Sequence, residues 1–192
     1  MDRPALRSRV DGAGGNRSYA YLAINPSGQV PAVLLDDGRV LTEAAAILPY
    51  LAETAPEAEL GGAEGPFGRY QLANLLSYLT REVHVAFKPF FQPQRFLTDE
   101  ARHEALGEQA FVTLRPMLAR LEGMIQGRRF ILAARRSVVD PYLYVLLRWV
   151  DNAPYGITPF PALARYRQAM EEDAGVRHAL RVQGMALVGA RV

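Results

Sequence analysis

Histidine is the side chain best suited to proton transfer near neutral pH, and the sequence contains three: His84, His103 and His178. His84 is the most informative of them, because on a helix it would share one face with Thr80, Phe87 and Lys88. An imidazole in that position can polarise a thiol or a water molecule. The alternative is a hydrogen-bonded packing histidine. No two histidines have the i, i+4 spacing of a helical metal site, so we expect no metal.

Two further sequence features limit the chemistry. The 192 residues contain no cysteine, which excludes a disulfide framework, a thiolate metal site and a cysteine nucleophile among them. Residues Ser137 to Asp140 have the form of a capping box, with aspartate in place of the usual glutamate. We expect the serine oxygen to accept from the N–H of Asp140 and the carboxylate to accept from the N–H of Ser137. This motif is assigned a structural role.

The composition is that of an ordinary globular protein, with 49% hydrophobic and 22% charged residues. No apolar run approaches the roughly 18–20 residues of a membrane span, and the first residues have no secretory signal pattern. The net charge is only +2, so we expect neither a nucleic acid nor a membrane as partner.

Short extended segments and turns are predicted in the first sixty residues. Residues 5–10 alternate with two arginines on one face, which is typical of an edge strand. A turn is predicted at residues 25–28, and a hairpin with strands at 31–35 and 39–41 follows it. Thr42 is expected to cap a helix over residues 43–53.

The rest of the chain has helical patterns. Residues 55–68 contain two prolines and four glycines and are the best candidate for a linker. The predicted helices cover residues 67–87 and 98–126, then begin at Ser137, after Pro161 and at about residue 176. We therefore predict an α/β domain over residues 1–60 and an all-helical domain over residues 66–192.

Three stretches, taken together and in this order, resemble the glutathione transferases, most closely their bacterial beta class. They are residues 21–33 with 40–47, residues 82–89 and residues 137–149. The resemblance implies a thioredoxin-like α/β N-terminal domain and an all-α C-terminal domain, the glutathione transferase fold. It also implies a bacterial, cytoplasmic detoxification enzyme that works as a homodimer on glutathione and a small hydrophobic electrophile.

The resemblance also implies where glutathione binds. In the family a cis proline exposes the backbone of the preceding valine to the cysteinyl part of glutathione, and the matching pair here is Val30-Pro31, preceded by Gln29. Glu43 matches the acidic residue that begins a helix and takes the γ-glutamyl ammonium group. A simple first-turn acid is the alternative for Glu43. The family's usual hydroxyl at the next position is replaced by Ala44, which removes one hydrogen bond.

The remaining implied site residues lie in the helical part. His84 matches the histidine that faces the thiol of glutathione in the beta class. Trp149 corresponds to a tryptophan near the open end of the cleft, and Phe87 is assigned with it to the acceptor pocket. A plain core aromatic is the alternative for Trp149.

The family's first strand and helix, which carry a catalytic cysteine, serine or tyrosine, would precede the segment at residue 5. We therefore expect these 192 residues to lack them. Three functions follow as expectations. The first is an enzyme that conjugates the thiol of glutathione to hydrophobic electrophiles. The second is a non-catalytic binding or scaffold protein that has lost its catalytic N-terminal segment. The third is a purely structural helical dimer.

Overall fold

A computed structural model describes residues 15–132 and 135–188. The predicted edge strand at residues 5–10 lies outside the described residues. The predicted hairpin is confirmed: β1 (Ala32–Leu34) pairs antiparallel with β2 (Val40–Thr42), with Val33 opposite Leu41. The turn between the strands is closed by a hydrogen bond of 2.9 Å from the N–H of Gly38 to the carbonyl of Leu35.

Two helices flank this hairpin in the chain. Helix α1 (Tyr19–Ile24) precedes it and is capped by the hydroxyl of Ser18, although the residue pattern had not assigned a helix there. Helix α2 (Ala44–Thr54) follows it. The prediction that Thr42 caps α2 is wrong, because Thr42 ends β2 and Glu43 is the N-cap, without a side-chain capping bond.

The all-helical part begins with one long helical segment. Helix α3 (Gly65–Tyr78) continues through a π-helical segment (Leu79–Val83) into α4 (His84–Ala86), and α5 (Lys88–Phe91) follows a break at Phe87. The helix predicted over residues 67–87 is thus present. The π segment was not predicted, because its single wide turn leaves no periodic mark in so short a stretch.

The other helices also agree with the prediction, apart from two starts, since the helices predicted to begin at Thr98 and Ser137 begin at His103 and Val139. They are α6 (His103–Ile125), α7 (Val139–Trp149), α8 (Pro161–Glu172) and α9 (Ala174–Val182). Helix α6 begins later than Thr98, because a 3-10 turn (Glu100–Arg102) capped by the carboxylate of Asp99 precedes it. Within the described residues, no helix is both long and apolar enough to cross a membrane.

The capping box holds the central helix α7 through a fully buried carboxylate. Asp140 Oδ2 accepts from the N–H of Ser137 at 2.7 Å, as predicted, and Oδ1 accepts from the hydroxyl of Tyr166 at 2.7 Å and the N–H of Ile131 at 3.1 Å. The serine bond differs from the prediction, because Ser137 Oγ accepts from Val139 rather than from Asp140. The aspartate therefore ties the loop before α7 and helix α8 to the same point of the core.

Candidate functional site

A cleft of about 450 Å³ lies between the hairpin region and the long helical segment. It brings together six of the residues that the sequence analysis assigned to glutathione or catalysis. These are Gln29, Val30, Pro31, Glu43, Ala44 and His84. The cleft also contains residues that were not assigned, namely Asn25, Ser27, Thr42, Ala45, Thr80, Lys88, Arg95 and Tyr142.

One wall of the cleft is a turn organised by Asn25, which is 5% exposed. Its amide donates to the carbonyl of Gln29 at 2.7 Å, and its Oδ1 accepts from the hydroxyl of Ser27 at 2.9 Å. Gly28 has φ of +62°, a conformation that favours glycine, and an added Cβ would lie 2.8 Å from Arg17. These hydrogen bonds and the backbone of Gly28 hold the turn in one conformation, directly before Val30 in the cleft lining.

The peptide bond that follows this turn is cis, as the resemblance implied for Val30-Pro31. Val30 is 68% exposed at the cleft. The carbonyl of Gln29 is held from two sides, since it also accepts from the hydroxyl of Tyr21 at 2.6 Å. The main chain of Val30 is thus presented by a braced loop to anything that enters the cleft.

The N-terminus of α2 forms a second wall. Glu43 is its N-cap with φ of +67°, which is unusual for a residue with a side chain, and it makes no side-chain cap bond. Ala44 and Ala45 follow it in the cleft lining, at helix positions whose amides have no intrahelical acceptor. An acidic side chain and a helix N-terminus are therefore adjacent, and together they suit a group that carries both an ammonium and a carboxylate.

His84 is the titratable group on the helical wall. Its Nδ1 lies 2.7 Å from the hydroxyl of Tyr142, and its ring packs edge-on against Trp149 with centroids 5.0 Å apart. Burial and then the charge of Lys88 lower the pKa of His84, which keeps the imidazole neutral at pH 7. Burial, with a smaller contribution from Glu43, raises the pKa of Tyr142 to about 12, so its hydroxyl stays protonated.

The two aromatic residues assigned to the acceptor pocket do not line this cleft. Phe87 is 1% exposed and packs against Trp149 and Phe91, so it has no surface to offer an acceptor. Trp149 is partly buried and contacts the cleft through His84. The assignment of Phe87 is corrected to core packing, because it lies in the same buried cluster as Leu79 and Val83, which precede it on the long helical segment.

A larger depression, of about 920 Å³, lies elsewhere on the helical part and includes Arg135, Arg136 and Arg129. Two of these cations are already paired, Arg135 with Glu64 at 3.3 Å and Arg136 with Asp173. Glu59 and Glu172 also line it, so its charges largely balance. The described residues contain no group of acidic and histidine side chains that could hold a metal ion.

Comparisons with known proteins agree with this architecture. A family model for the N-terminal domain of glutathione S-transferases matches residues 6–54, and a model for their C-terminal domain matches residues 100–169. The Xanthomonas campestris protein named glutathione S-transferase GST-4.5 is 34% identical over 88% of this chain and 82% of its own length.

Solved structures give the same result. A sphingomonad glutathione S-transferase complexed with glutathione superposes with a TM-score of 0.76 at 38% identity, covering 86% of this chain and 79% of the other. The beta class glutathione S-transferase of Sphingomonas chungbukensis gives a TM-score of 0.77 at 34% identity, with the same coverage. The predicted fold class and the predicted resemblance are both confirmed.

Proposed function

Because the chain belongs to the glutathione S-transferase family, we propose that it joins the thiol sulfur of glutathione to hydrophobic electrophiles in this cleft. The observation that carries the proposal is the convergence of the cis Val30-Pro31 step, the N-terminus of α2 and His84 on one cavity. A related sphingomonad structure is described as complexed with glutathione, which supports the same ligand here.

Each part of the tripeptide is assigned to a different wall of the cleft. Glu43 takes the γ-glutamyl ammonium, and the free amides at Ala44 and Ala45 take its carboxylate. The main chain of Val30, next to Gln29, pairs with the cysteinyl residue. The thiol then faces His84 on the helical wall.

The chemical step is a substitution or an addition at carbon. The thiol proton passes to the solvent and the sulfur forms a bond to the electrophilic carbon. In a substitution a leaving group such as chloride departs with its electron pair, and in an addition the electron pair of the activated double bond takes up a proton from the solvent. The proposed step uses the His84 tautomer with its hydrogen on Nε2, in which Nδ1 accepts from the hydroxyl of Tyr142, 2.7 Å away, and the hydrogen on Nε2 is available to the sulfur. A donor placed at developing or full negative charge on sulfur favours the thiolate.

Calorimetric titration with glutathione tests the roles of the site residues. Glu43 is exposed in the empty cleft, so replacing its charge in Glu43→Gln should cost about 1 kcal/mol, which is about fivefold in Kd. The matched control is Glu53→Gln, an exposed acid on the same helix. Affinity that is unchanged in Glu43→Gln would show that the γ-glutamyl group binds elsewhere.

Turnover of a chlorodinitrobenzene acceptor separates the enzyme from the non-catalytic alternative. Conjugation that is saturable in both substrates supports the proposed reaction. Glutathione binding without turnover would instead assign a binding or scaffold function. Within the 192 residues no cysteine is present to form a mixed disulfide with glutathione.

The assembly is proposed to be a homodimer that uses α3 and α6. Phe67 and Tyr70 on α3 are stacked with centroids 5.9 Å apart yet remain 69% and 59% exposed, and Val112 on α6 is also exposed. Apolar side chains on neighbouring helices suit a symmetric contact. A monomer in light scattering at micromolar concentration would refute the dimer. We also propose that the protein is cytoplasmic and acts in detoxification. The proposed α/β domain ends near residue 60, and the proposed helical domain begins near residue 66.

A further inference from the structure

Lys88 and Arg95 are cations in the cleft to which the proposed glutathione contacts give no partner. Lys88 is half-buried, and its side-chain ammonium makes no hydrogen bond or ion pair with any residue in the described ranges. The guanidinium of Arg95 makes one hydrogen bond to the described residues, from Nη1 to the side-chain oxygen of Gln92 at 2.9 Å, and that acceptor is neutral. Neither cation has a carboxylate within 4.0 Å among the described residues.

Among the described residues, some cations are paired with a carboxylate and others, including Lys88 and Arg95, are not. Six arginines of the described part lie in ion pairs, namely Arg39, Arg102, Arg135, Arg136, Arg148 and Arg167. The sequence contains a single lysine, and it lies in the cleft. Among the described residues that line the cleft, Glu43 is the one acid, against the two cations Lys88 and Arg95.

The position of Lys88 relates this charge to the reacting sulfur. Lys88 follows His84 by one helical turn on the same wall, and its positive charge is close enough to contribute, after burial, to the lowered pKa of the imidazole. Phe91, at the other end of α5, is 45% exposed and packs against Trp149 with centroids 5.3 Å apart. A positive subsite and an aromatic surface thus lie beside the place where the thiol meets its acceptor.

We propose that Lys88 and Arg95 form a subsite for the carboxylate of the acceptor, so that the preferred electrophiles are aromatic or apolar molecules that carry an anionic group. This inference rests on the proposed function. In the conjugation of a chlorinated benzoate, the sulfur–carbon bond forms, chloride leaves, the thiol proton passes to the solvent, and the carboxylate is unchanged. The glycyl carboxylate of glutathione offers the same chemistry and is the competing occupant.

The test uses two matched conjugates, those of glutathione with a chlorodinitrobenzoate and with the corresponding chlorodinitrobenzamide. They differ only in the charge of one substituent. Binding is followed by the fluorescence of Trp149, the single tryptophan of the chain. Titrations at about pH 8 keep His84 neutral in every variant. The variants are Lys88→Met, Arg95→Gln and the control Arg165→Met, an exposed cation on α8 outside the cleft lining.

We expect the wild-type protein and Arg165→Met to bind the carboxylate conjugate about fivefold to tenfold more tightly than the amide, as a charge-assisted contact would give. The preference for the carboxylate conjugate should fall below about twofold in Lys88→Met. In Arg95→Gln it should fall by a smaller amount. Equal affinity for both conjugates in the wild-type protein would overturn the proposal. It would also be overturned if Lys88→Met weakened both conjugates and free glutathione by one factor, because the occupant would then be the glycyl carboxylate.

The same reagents separate this inference from the proposed function. The carboxylate preference with no turnover of either chlorinated acceptor would refute the proposed reaction and leave the subsite supported. Turnover of both acceptors with equal kcat/KM, after correction for their uncatalysed rates, would support the reaction and refute the subsite.

Discussion

Replacing Ala44 with serine should tighten glutathione binding. Ala44 is the first residue of α2 and lines the cleft beside Glu43, whose side chain makes no capping bond there. A hydroxyl at this position would add one hydrogen bond to the γ-glutamyl carboxylate without displacing an existing partner. A hydrogen bond of this kind contributes about 0.5–1.5 kcal/mol, which corresponds to a Kd lower by about two- to twelvefold.

The measurement is calorimetric titration of glutathione into the wild-type protein and Ala44→Ser. The matched control is Ala46→Ser, in the same helical turn but exposed and outside the cleft lining. Both substitutions have a similar effect on helix propensity, so a difference between them reports the ligand contact. A gain of affinity also has the advantage that misfolding cannot mimic it.

The reasoning would be refuted if Ala44→Ser bound glutathione no better than Ala46→Ser. In that case the N-terminus of α2 would not receive the γ-glutamyl carboxylate. If Glu43→Gln still weakened binding, the ammonium contact would remain and only the carboxylate would have to be placed elsewhere.

Three further predictions concern stability. Gly68→Ala should lower the free energy of unfolding by about 1–3 kcal/mol in urea titrations, because the added Cβ would lie 2.0 Å from the carbonyl oxygen of Ala63. Gly123→Ala should instead raise the free energy of unfolding by about 0.5–1 kcal/mol, because its Cβ would have nothing within 4 Å and alanine favours the helix. Asp140→Ala should lower the free energy of unfolding by about 3–5 kcal/mol, because four buried donors lose their acceptor; a loss below about 1 kcal/mol would contradict this role. Since the pKa of His84 is lowered in the folded state, the unfolded chain binds more protons below about pH 6.5. Any stability advantage of the wild-type protein over His84→Gln should therefore shrink as the pH falls below that value. An advantage that grows at low pH would show that folding raises the pKa of His84.

The sequence by itself determined the elements whose signals are local. The turn at Asn25 to Gly28, the turn at Gly38 and the capping box at Ser137 each depend on residues within four positions of one another. Their backbone conformations follow from glycine, proline and side-chain caps, which act over that same distance. The cis Val30-Pro31 step and the position of Glu43 were implied by the resemblance of residues 21–33 and 40–47 to the glutathione transferases.

The tertiary structure alone decided which side chains meet across the cleft. Tyr142 reaches His84 over 58 positions of sequence, and no periodicity in either helix specifies that pairing. Phe87 and Lys88 are neighbours in the chain and point in different directions, and the packing of the other helices decides that Phe87 meets the core and Lys88 the cleft. Helical spacing restricts which residues share a face, but the packing of α7 and the π segment before His84 determines what that face meets. Contacts between distant segments depend on the shape of the whole core, because side chains there must fill space together.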